Sequence, residues 1–287
     1  MILVTGATGQ IGKRVTQHLI ELGAPVRTFV RNENRLGSLK GSDLEVAVGT
    51  FEDMSSIEKA VKGVDRLLLI GRDNPEQTEQ HNNVIKAAEK HGVKHIVKLS
   101  AFGASKESPI ELMRAHAETE SQIKESKLTW TFLRPHLYMQ NLLRFGDSVA
   151  QDNYFSAPMG TDAYSLVDIR DIAETAAAIL NDGGHISKVY TLTSPYPSTY
   201  NQIANYLSEI LNHSIDYHSV SSETFYQSLI AEGLPSWRAF DLAHIAEAYP
   251  NDRKTLIAND IENILDRPAR SIQTFLNNYK GVFQQKE

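Results

Sequence analysis

Met1-Ile-Leu-Val-Thr-Gly6-Ala-Thr-Gly9-Gln-Ile-Gly12 opens the chain, and its reading decides the fold. Ile2, Leu3 and Val4 form an unbroken apolar run, the pattern of a strand buried on both faces of a sheet. Glycines at every third position follow, and residues 11–22 then carry the periodicity of an amphipathic helix. A strand, a glycine turn and a helix N-terminus make a seat for a pyrophosphate. The turn brings backbone close to the phosphates, and the open N–H groups at the positive helix end favour an anion. The best-known dinucleotide fingerprint spaces its glycines G-x-G-x-x-G; here they read Gly6-x-x-Gly9-x-x-Gly12. Their position between an opening strand and a helix, more than their number, points to a dinucleotide. The competing reading is a tight turn in which Gly12 only lets helix and sheet approach.

Outward from this turn, residues 26–30, 44–48, 66–70, 95–100 and 129–133 read as further strands. Residues 77–91 and 110–126 read as helices between them, and Ser55-Ser-Ile-Glu58 as a capping box opening a shorter helix. Such alternation predicts an α/β protein with a Rossmann-type doubly wound parallel sheet. Ligands of these sheets bind outside the carboxyl ends of the strands. That rule gathers the 6–12 turn, Arg31, Phe51, Gly71, Ser100 and Pro135 on one edge. Past the second strand an acidic residue would bond the 2′-hydroxyl of NAD, whereas an arginine accommodates the 2′-phosphate of NADP. Arg31 stands there with Arg35 close behind, and a guanidinium can grip a phosphate bidentately, so NADPH is expected over NADH. Glu33 opposes this, and two solvated loop arginines are the alternative. Phe51 either covers the adenine or belongs to the core, and Gly71 is small enough for a cofactor to cross the strand tip.

Beyond Pro135 the alternation weakens. Residues 138–149 read as helical, 154–158 and 164–167 as short strands, 171–180 as a helix and 189–192 as a sheet strand. Thr199-x-x-Gln202 boxes a helix, 215–220 alternates as a strand, and 222–232 and 237–249 read as helices before a last one around Ile272, Phe275 and Leu276. We expect a Rossmann domain at 1–136, with 167–193 returning to it. Residues 137–166 and 194–287 would form a smaller α+β lobe on the substrate side.

The composition narrows the function. A chain of 287 residues with 41% hydrophobic content supports a large core. A net charge of -6 argues against a nucleic-acid partner, and no apolar run is long enough to span a membrane. The absence of cysteine removes disulfides and thiolate chemistry, and with no leader-like start it suggests a soluble cytoplasmic protein. The histidines are scattered without H-E-x-x-H spacing, no G-x-S-x-G elbow occurs, and no metal site is expected. Asn212-His-Ser214 matches a glycosylation pattern that means little without a secretion signal. Asp168 and Asp171, flanking Arg170 at a helix start, read as structural caps.

Val4-Thr-Gly-Ala-Thr-Gly-Gln-Ile-Gly12 resembles the opening of the extended and atypical short-chain dehydrogenase/reductases. Further segments narrow the resemblance to the NmrA-like group: Gly92-Val-Lys-His-Ile-Val97, Thr131-Phe-Leu-Arg-Pro135, Tyr138-Met-Gln-Asn141, Val167-Asp-Ile-Arg-Asp-Ile-Ala173 and Leu265-Asp-Arg-Pro-Ala-Arg-Ser271. Within it the chain is most similar to bacterial NADPH-dependent quinone reductases and triphenylmethane dye reductases. The resemblance implies that Gly6, Thr8, Gly9, Gln10, Ile11 and Gly12 hold the pyrophosphate side and Arg31 the 2′-phosphate. It places Phe51 near the adenine, Gly71 by the ribose and Pro135 near the nicotinamide. Many relatives carry an aspartate after the glycine of the third strand tip; here it is Thr50, which puts adenine contacts there in doubt.

Mainstream members carry Tyr-x-x-x-Lys on the helix after the fifth strand, the tyrosine moving a proton during hydride transfer. No tyrosine here has a lysine four residues on. The corresponding stretch is His116-Ala-Glu-Thr-Glu120, whose ends share a helical face. It is either a proton donor with its orienting carboxylate or a solvated pair. Ser100 either donates a hydrogen bond in the site or satisfies local backbone. The missing tyrosine disfavours a nucleotide-sugar epimerase or dehydratase. It is compatible with an NAD(P)H-dependent oxidoreductase whose acceptor is electron-poor, because proximity supplies much of the acceleration. It is equally compatible with a non-catalytic redox sensor acting through a protein partner. Phe102, Tyr138, Asn141 and Trp237 suit a pocket for a small conjugated acceptor, Trp237 and Phe240 being alternatively lobe core. A homodimer is open on either reading.

Overall fold

The computed structural model describes residues 1–249 and 251–285. The opening run is β1 (Ile2–Thr5), with every residue buried. Successive side chains of a strand face opposite ways. Ile2 and Val4 enter one core and Leu3 the other, which is why the run is continuously apolar. There follow α1 (Gln10–Glu21), β2 (Val26–Val30), β3 (Glu45–Val48), α2 (Met54–Val61), β4 (Arg66–Leu69), α3 (Gln77–Lys90), β5 (His95–Leu99), α4 (Glu111–Glu125) and β6 (Thr129–Pro135). The chain continues through α5 (Gly146–Asp152), β7 (Tyr154–Ala157), β8 (Ala163–Tyr164), α6 (Ile169–Asp182) and β9 (Lys188–Leu192). The last elements are β10 (Ser198–Thr199), α7 (Tyr200–Leu211), β11 (Asp216–Ser219), α8 (Ser222–Ala231), α9 (Ser236–Ala243), α10 (Asp260–Leu265) and α11 (Ile272–Asn278).

Seven strands join in the order β3-β2-β1-β4-β5-β6-β9, each neighbouring pair parallel. Ile2 stands beside Val26 on one side and Arg66 on the other. The order reverses between β1 and β4, the doubly wound Rossmann arrangement, whose ligand crevice opens at the strand C-termini at that point. Val15 and Leu19 of α1 and Ile172 and Ala176 of α6 cover one face; Ile57, Val84 and Ile123 of α2, α3 and α4 cover the other. A separate core holds Phe155, Tyr164, Tyr200 and Phe275 with two small sheets, β8–β10 antiparallel and β7–β11 parallel. Among the described residues no helix is long and apolar enough to cross a membrane.

Several local expectations are corrected. Ser55 does not cap α2: Asp53 does, its carboxylate accepting the Ser55 N–H at 3.0 Å, while Glu58 is drawn away to Lys90 at 2.6 Å. Residues 138–149 are not one helix but a 3₁₀ turn, Met139–Phe145, running into α5. In 164–167 only Tyr164 pairs as a strand; Val167 makes an isolated bridge with Tyr138. The expected helix 237–249 stops at Ala243, where the His244 N–H and ring both crowd the Phe240 carbonyl at 3.0 Å, and a 3₁₀ turn follows. Thr199 and Gln202 do form both halves of a capping box.

Asp168 caps α6 by accepting the Arg170 N–H at 2.9 Å, as read from the sequence. Asp171 does something else. Fully buried, it accepts from the Arg270 N–H at 2.7 Å and from the guanidinium of Arg267 at 2.8 Å, and it also pairs with the Arg270 side chain. Glu174, one turn on, binds both arginines. The Leu265-to-Ser271 segment is therefore a strap pinned to α6.

Candidate active site

The site is built on the glycine turn. Thr5 Oγ1 accepts the Ile70 N–H at 2.8 Å and so ties the tips of β1 and β4 together. Gly6 then turns the chain at φ 65°, where a side chain is strained. Gly12 is needed for space: a Cβ there would lie 2.3 Å from the Gly6 carbonyl oxygen, so α1 rests directly on the turn. Gly9 caps α1 without a side-chain acceptor, which leaves the first-turn N–H groups of Gln10, Ile11 and Gly12 for a ligand.

A cleft of about 700 Å³ opens over this turn. Gly6, Thr8 and Gly9 form one wall, Arg31 and Arg35 another, and Thr50 and Phe51 a third. Glu33, two residues after Arg31, does not line it. Phe51 packs on the core, stacked on Phe29 with ring centres 5.9 Å apart, and also lines the cleft. Gly71 lies in the floor, and a Cβ there would meet His81 Nε2 at 2.2 Å. His81 is fully buried, and neither ring nitrogen has a hydrogen-bond partner among the described residues. Trp237 and Pro235 close the cleft from the α9 side. Arg238 bridges to Asp73 in the cleft wall at 2.7 Å, and Asp241 accepts the Glu111 and Leu112 N–H groups of α4 at 3.0 and 2.9 Å.

A buried polar cluster lies at the end of β5. Ser100 Oγ donates to Glu120 Oε1 at 2.6 Å, and Arg134 grips the same carboxylate through Nε at 2.9 Å and Nη2 at 2.5 Å. His116 is therefore not paired with Glu120, nor is either solvated. Arg134 on β6 captures the carboxylate instead, and His116 Nδ1 lies 3.1 Å from Lys98 Nζ. Burial, and after it the charges of Lys98, His81 and Arg134, hold His116 well below the ordinary imidazole range, so the ring is neutral. Lys98, also fully buried, is pulled down to about 7 by desolvation, with Glu120 and Asp73 acting against the fall.

Other expected residues are placed differently. Ser100 faces Glu120 rather than the cleft. Phe102 is lobe core, stacked on His136 and Tyr249 with centres 5.1 and 5.7 Å apart. Pro135 is the buried tip of β6, its carbonyl accepting the Phe102 N–H at 2.9 Å. Tyr138 packs against the sheet core, Asn141 is exposed on the 3₁₀ turn, and neither lines the cleft. Phe240 is exposed and stacks on His244, so it is neither lobe core nor cover. Sequence reasoning missed Lys98 and His81. Lys98 had a signal: it is a charge inside an otherwise apolar strand. His81 had a weaker one, sharing a helical face with Val84 and Ile85.

A second cavity, about 570 Å³, lies at the opposite edge of the sheet among Asp65, Arg66 and His95. Its imidazole is already engaged, His95 meeting Thr129 and Thr131 hydroxyls at 3.0 and 2.9 Å, and it sits at the strand N-termini, away from the crevice.

Comparison with known proteins agrees with this geometry. The model of the NmrA-like family matches residues 1–277. An NAD(P)H azoreductase of Xenophilus azovorans is 29% identical over 283 residues, covering 99% of each chain. The structure of the NADPH-dependent quinone oxidoreductase of Escherichia coli complexed with NADPH superposes with a TM-score of 0.89, at 27% identity over 98% of this chain and 100% of that one. The Citrobacter sp. triphenylmethane reductase complexed with NADP(H) gives 0.86, at 30% identity over 97% and 99%. A family match across nearly the whole length, on a Rossmann sheet with the glycine seat intact, places the protein: it belongs to the NmrA-like family.

Proposed function

We propose that this chain is an NADPH-preferring reductase acting on a small, conjugated, electron-poor acceptor such as a quinone or a dye. The observation that carries the reading is the cleft, where the glycine turn, the arginine pair and Trp237 line one cavity. The residues fit the cofactor: α1 starts without a side-chain cap, which leaves its first-turn N–H groups open, and orphaned His81 nitrogens lie beneath Gly71. NADPH bound there would supply a hydride.

The chain's own residues would do the rest. Gly6, Thr8, Gly9, Gln10, Ile11 and Gly12 bind the pyrophosphate through backbone N–H groups. Arg31 takes the 2′-phosphate with Arg35 beside it. Phe51 faces the adenine and Gly71 the ribose. Residues 137–166 and 194–287 form the substrate-side lobe, and Trp237 borders the acceptor. A flat acceptor against an aromatic wall is oriented for transfer, and orientation alone lowers the barrier substantially. His116, which is buried and outside the cleft lining, is the proton donor. We place the protein in the cytoplasm.

Calorimetric titration with NADPH and NADH, followed by a quinone panel with the tighter cofactor, tests the reading. Tighter NADPH binding with steady turnover is the expected result. Tight binding without turnover would favour a sensor working through a protein partner, and binding of neither would refute the assignment of the cleft.

A further inference from the structure

We propose that Lys98 is a positioning residue for the proton that His116 delivers to a quinone, holding the imidazole in the Nε2–H tautomer and resupplying Nδ1. The inference rests on the reductase reading above. Lys98 projects from β5 into the layer between sheet and helices, donating to the Leu99 carbonyl at 2.5 Å and lying 3.1 Å from His116 Nδ1. An ammonium has only protons to offer. While Lys98 carries its proton, Nδ1 presents its lone pair and the proton of the neutral ring resides on Nε2.

A purely structural lysine is a poor account of this geometry. Burying an ammonium is costly unless a carboxylate answers it. Among the described residues none pairs with Lys98: Glu120 on α4 is held by Ser100 and by Arg134 of β6, and Asp73 after β4 by Arg238 of α9. The other group facing it is His81 of α3, whose field it shares beneath the cleft floor at Gly71. A methionine would fill the space at less cost. What a lysine adds is a proton it can give up near neutral pH, since burial draws its value down to about 7.

The chemistry separates two acceptor classes. A quinone that takes one hydride becomes a hydroquinone monoanion and needs one proton. The His116 Nε2–H bond breaks toward the quinone oxygen as Nδ1 takes a proton from Lys98 Nζ; solvent then protonates Nε2 and Nδ1 returns its proton to the Lys98 amine, which restores both groups before the next turnover. The sum is one quinone, one hydride and one proton giving one hydroquinone. A triphenylmethane cation that takes one hydride is already neutral and needs no proton.

The test compares Lys98→Met with the native chain on both acceptors. The quinone-to-dye ratio of kcat should fall roughly a hundredfold, the lower range of general-acid contributions. Native quinone turnover should decline as pH rises through about 7, and the variant should lack that limb. Nitrogen NMR of His116 in the cofactor-free protein should show the Nε2–H tautomer in the native chain and a mixture in the variant. His116→Asn should reproduce the fall in the ratio if Lys98→Met does not fold. Equal losses on both acceptors, a pH limb that persists without Lys98, or an unchanged tautomer would overturn the role. Native protein that reduces neither acceptor would instead overturn the reductase reading, and this role with it.

Discussion

Replacing Gly12 by alanine tests the glycine seat most directly. The new Cβ would stand 2.3 Å from the Gly6 carbonyl oxygen and 2.7 Å from its carbon. Comfortable heavy-atom contact needs about 3.5 Å, so α1 must lift by roughly 1 Å. Overpacking of this kind costs about 1–3 kcal/mol. With an unfolding entropy of about 2.1 cal/mol/K per residue, about 2 kcal/mol lowers the melting temperature of a chain of 287 residues by roughly 3 °C. Binding should suffer more. Lifting α1 pulls its first-turn N–H groups from the pyrophosphate, and one or two charge-assisted hydrogen bonds at about 1.5–3 kcal/mol each correspond to roughly tenfold to twenty-thousandfold in Kd. Because both cofactors share the pyrophosphate, NADPH and NADH should weaken alike. Gly9→Ala is the milder contrast: its Cβ would find only the Gly6 carbonyl oxygen, at 3.3 Å, so the melting temperature should fall less than in Gly12→Ala. Scanning calorimetry with titrations of both cofactors measures all of this. A Gly12→Ala protein that melts and binds like the native chain would refute the close approach as the reason for that glycine.

Arg31→Ala should weaken NADPH about tenfold, or about 1.4 kcal/mol, and leave NADH almost untouched; equal losses would remove Arg31 from the 2′-phosphate. Arg270→Ala should cost about 1.5–3 kcal/mol in urea unfolding, because it removes one charged partner of the buried Asp171 while Arg267 and the backbone N–H of residue 270 remain; a loss below about 0.5 kcal/mol would make the strap incidental. Burial holds His81 and His116 well below the ordinary value and takes His95 to about 4 and His136 to about 3. Their unfolded values, near 6.5, are higher, so below pH about 6.5 the unfolded chain binds the extra protons and stability is lost as pH falls. The melting temperature should therefore drop from pH 7 to pH 5, and a flat profile would mean that these rings are solvated.

What was legible in the sequence was what neighbours along the chain decide. Ile2 to Val4 could be read as a doubly buried strand, and the glycine spacing as a seat, because strand, turn and helix are adjacent residues. Arg31 was legible because the tip of a second strand has a fixed relation to the first. Fold class followed from the same local alternation. His116 and Glu120 were misjudged because their partners come from elsewhere: Lys98 on β5 and Arg134 on β6 reach them only after the sheet forms. Ser55 lost its capping role to Asp53, two residues before it, and Asp171 lost its own to arginines about a hundred residues away. Phe102 and Trp237 read alike as pocket aromatics, yet one stacks inside the lobe and the other walls the cleft.

The α9 wall has a thermodynamic consequence. Trp237 belongs to the lobe, Gly6 and Arg31 to the sheet, and a dinucleotide filling the space between them would act as glue. Part of its binding free energy would then hold one folding unit against the other, in proportion to RT ln(1 + [L]/Kd). The Arg238–Asp73 bridge is partly exposed and by itself worth at most about 1 kcal/mol. Asp241 already ties α9 to α4 at 3.0 and 2.9 Å, so the coenzyme would tighten a docking that persists without it.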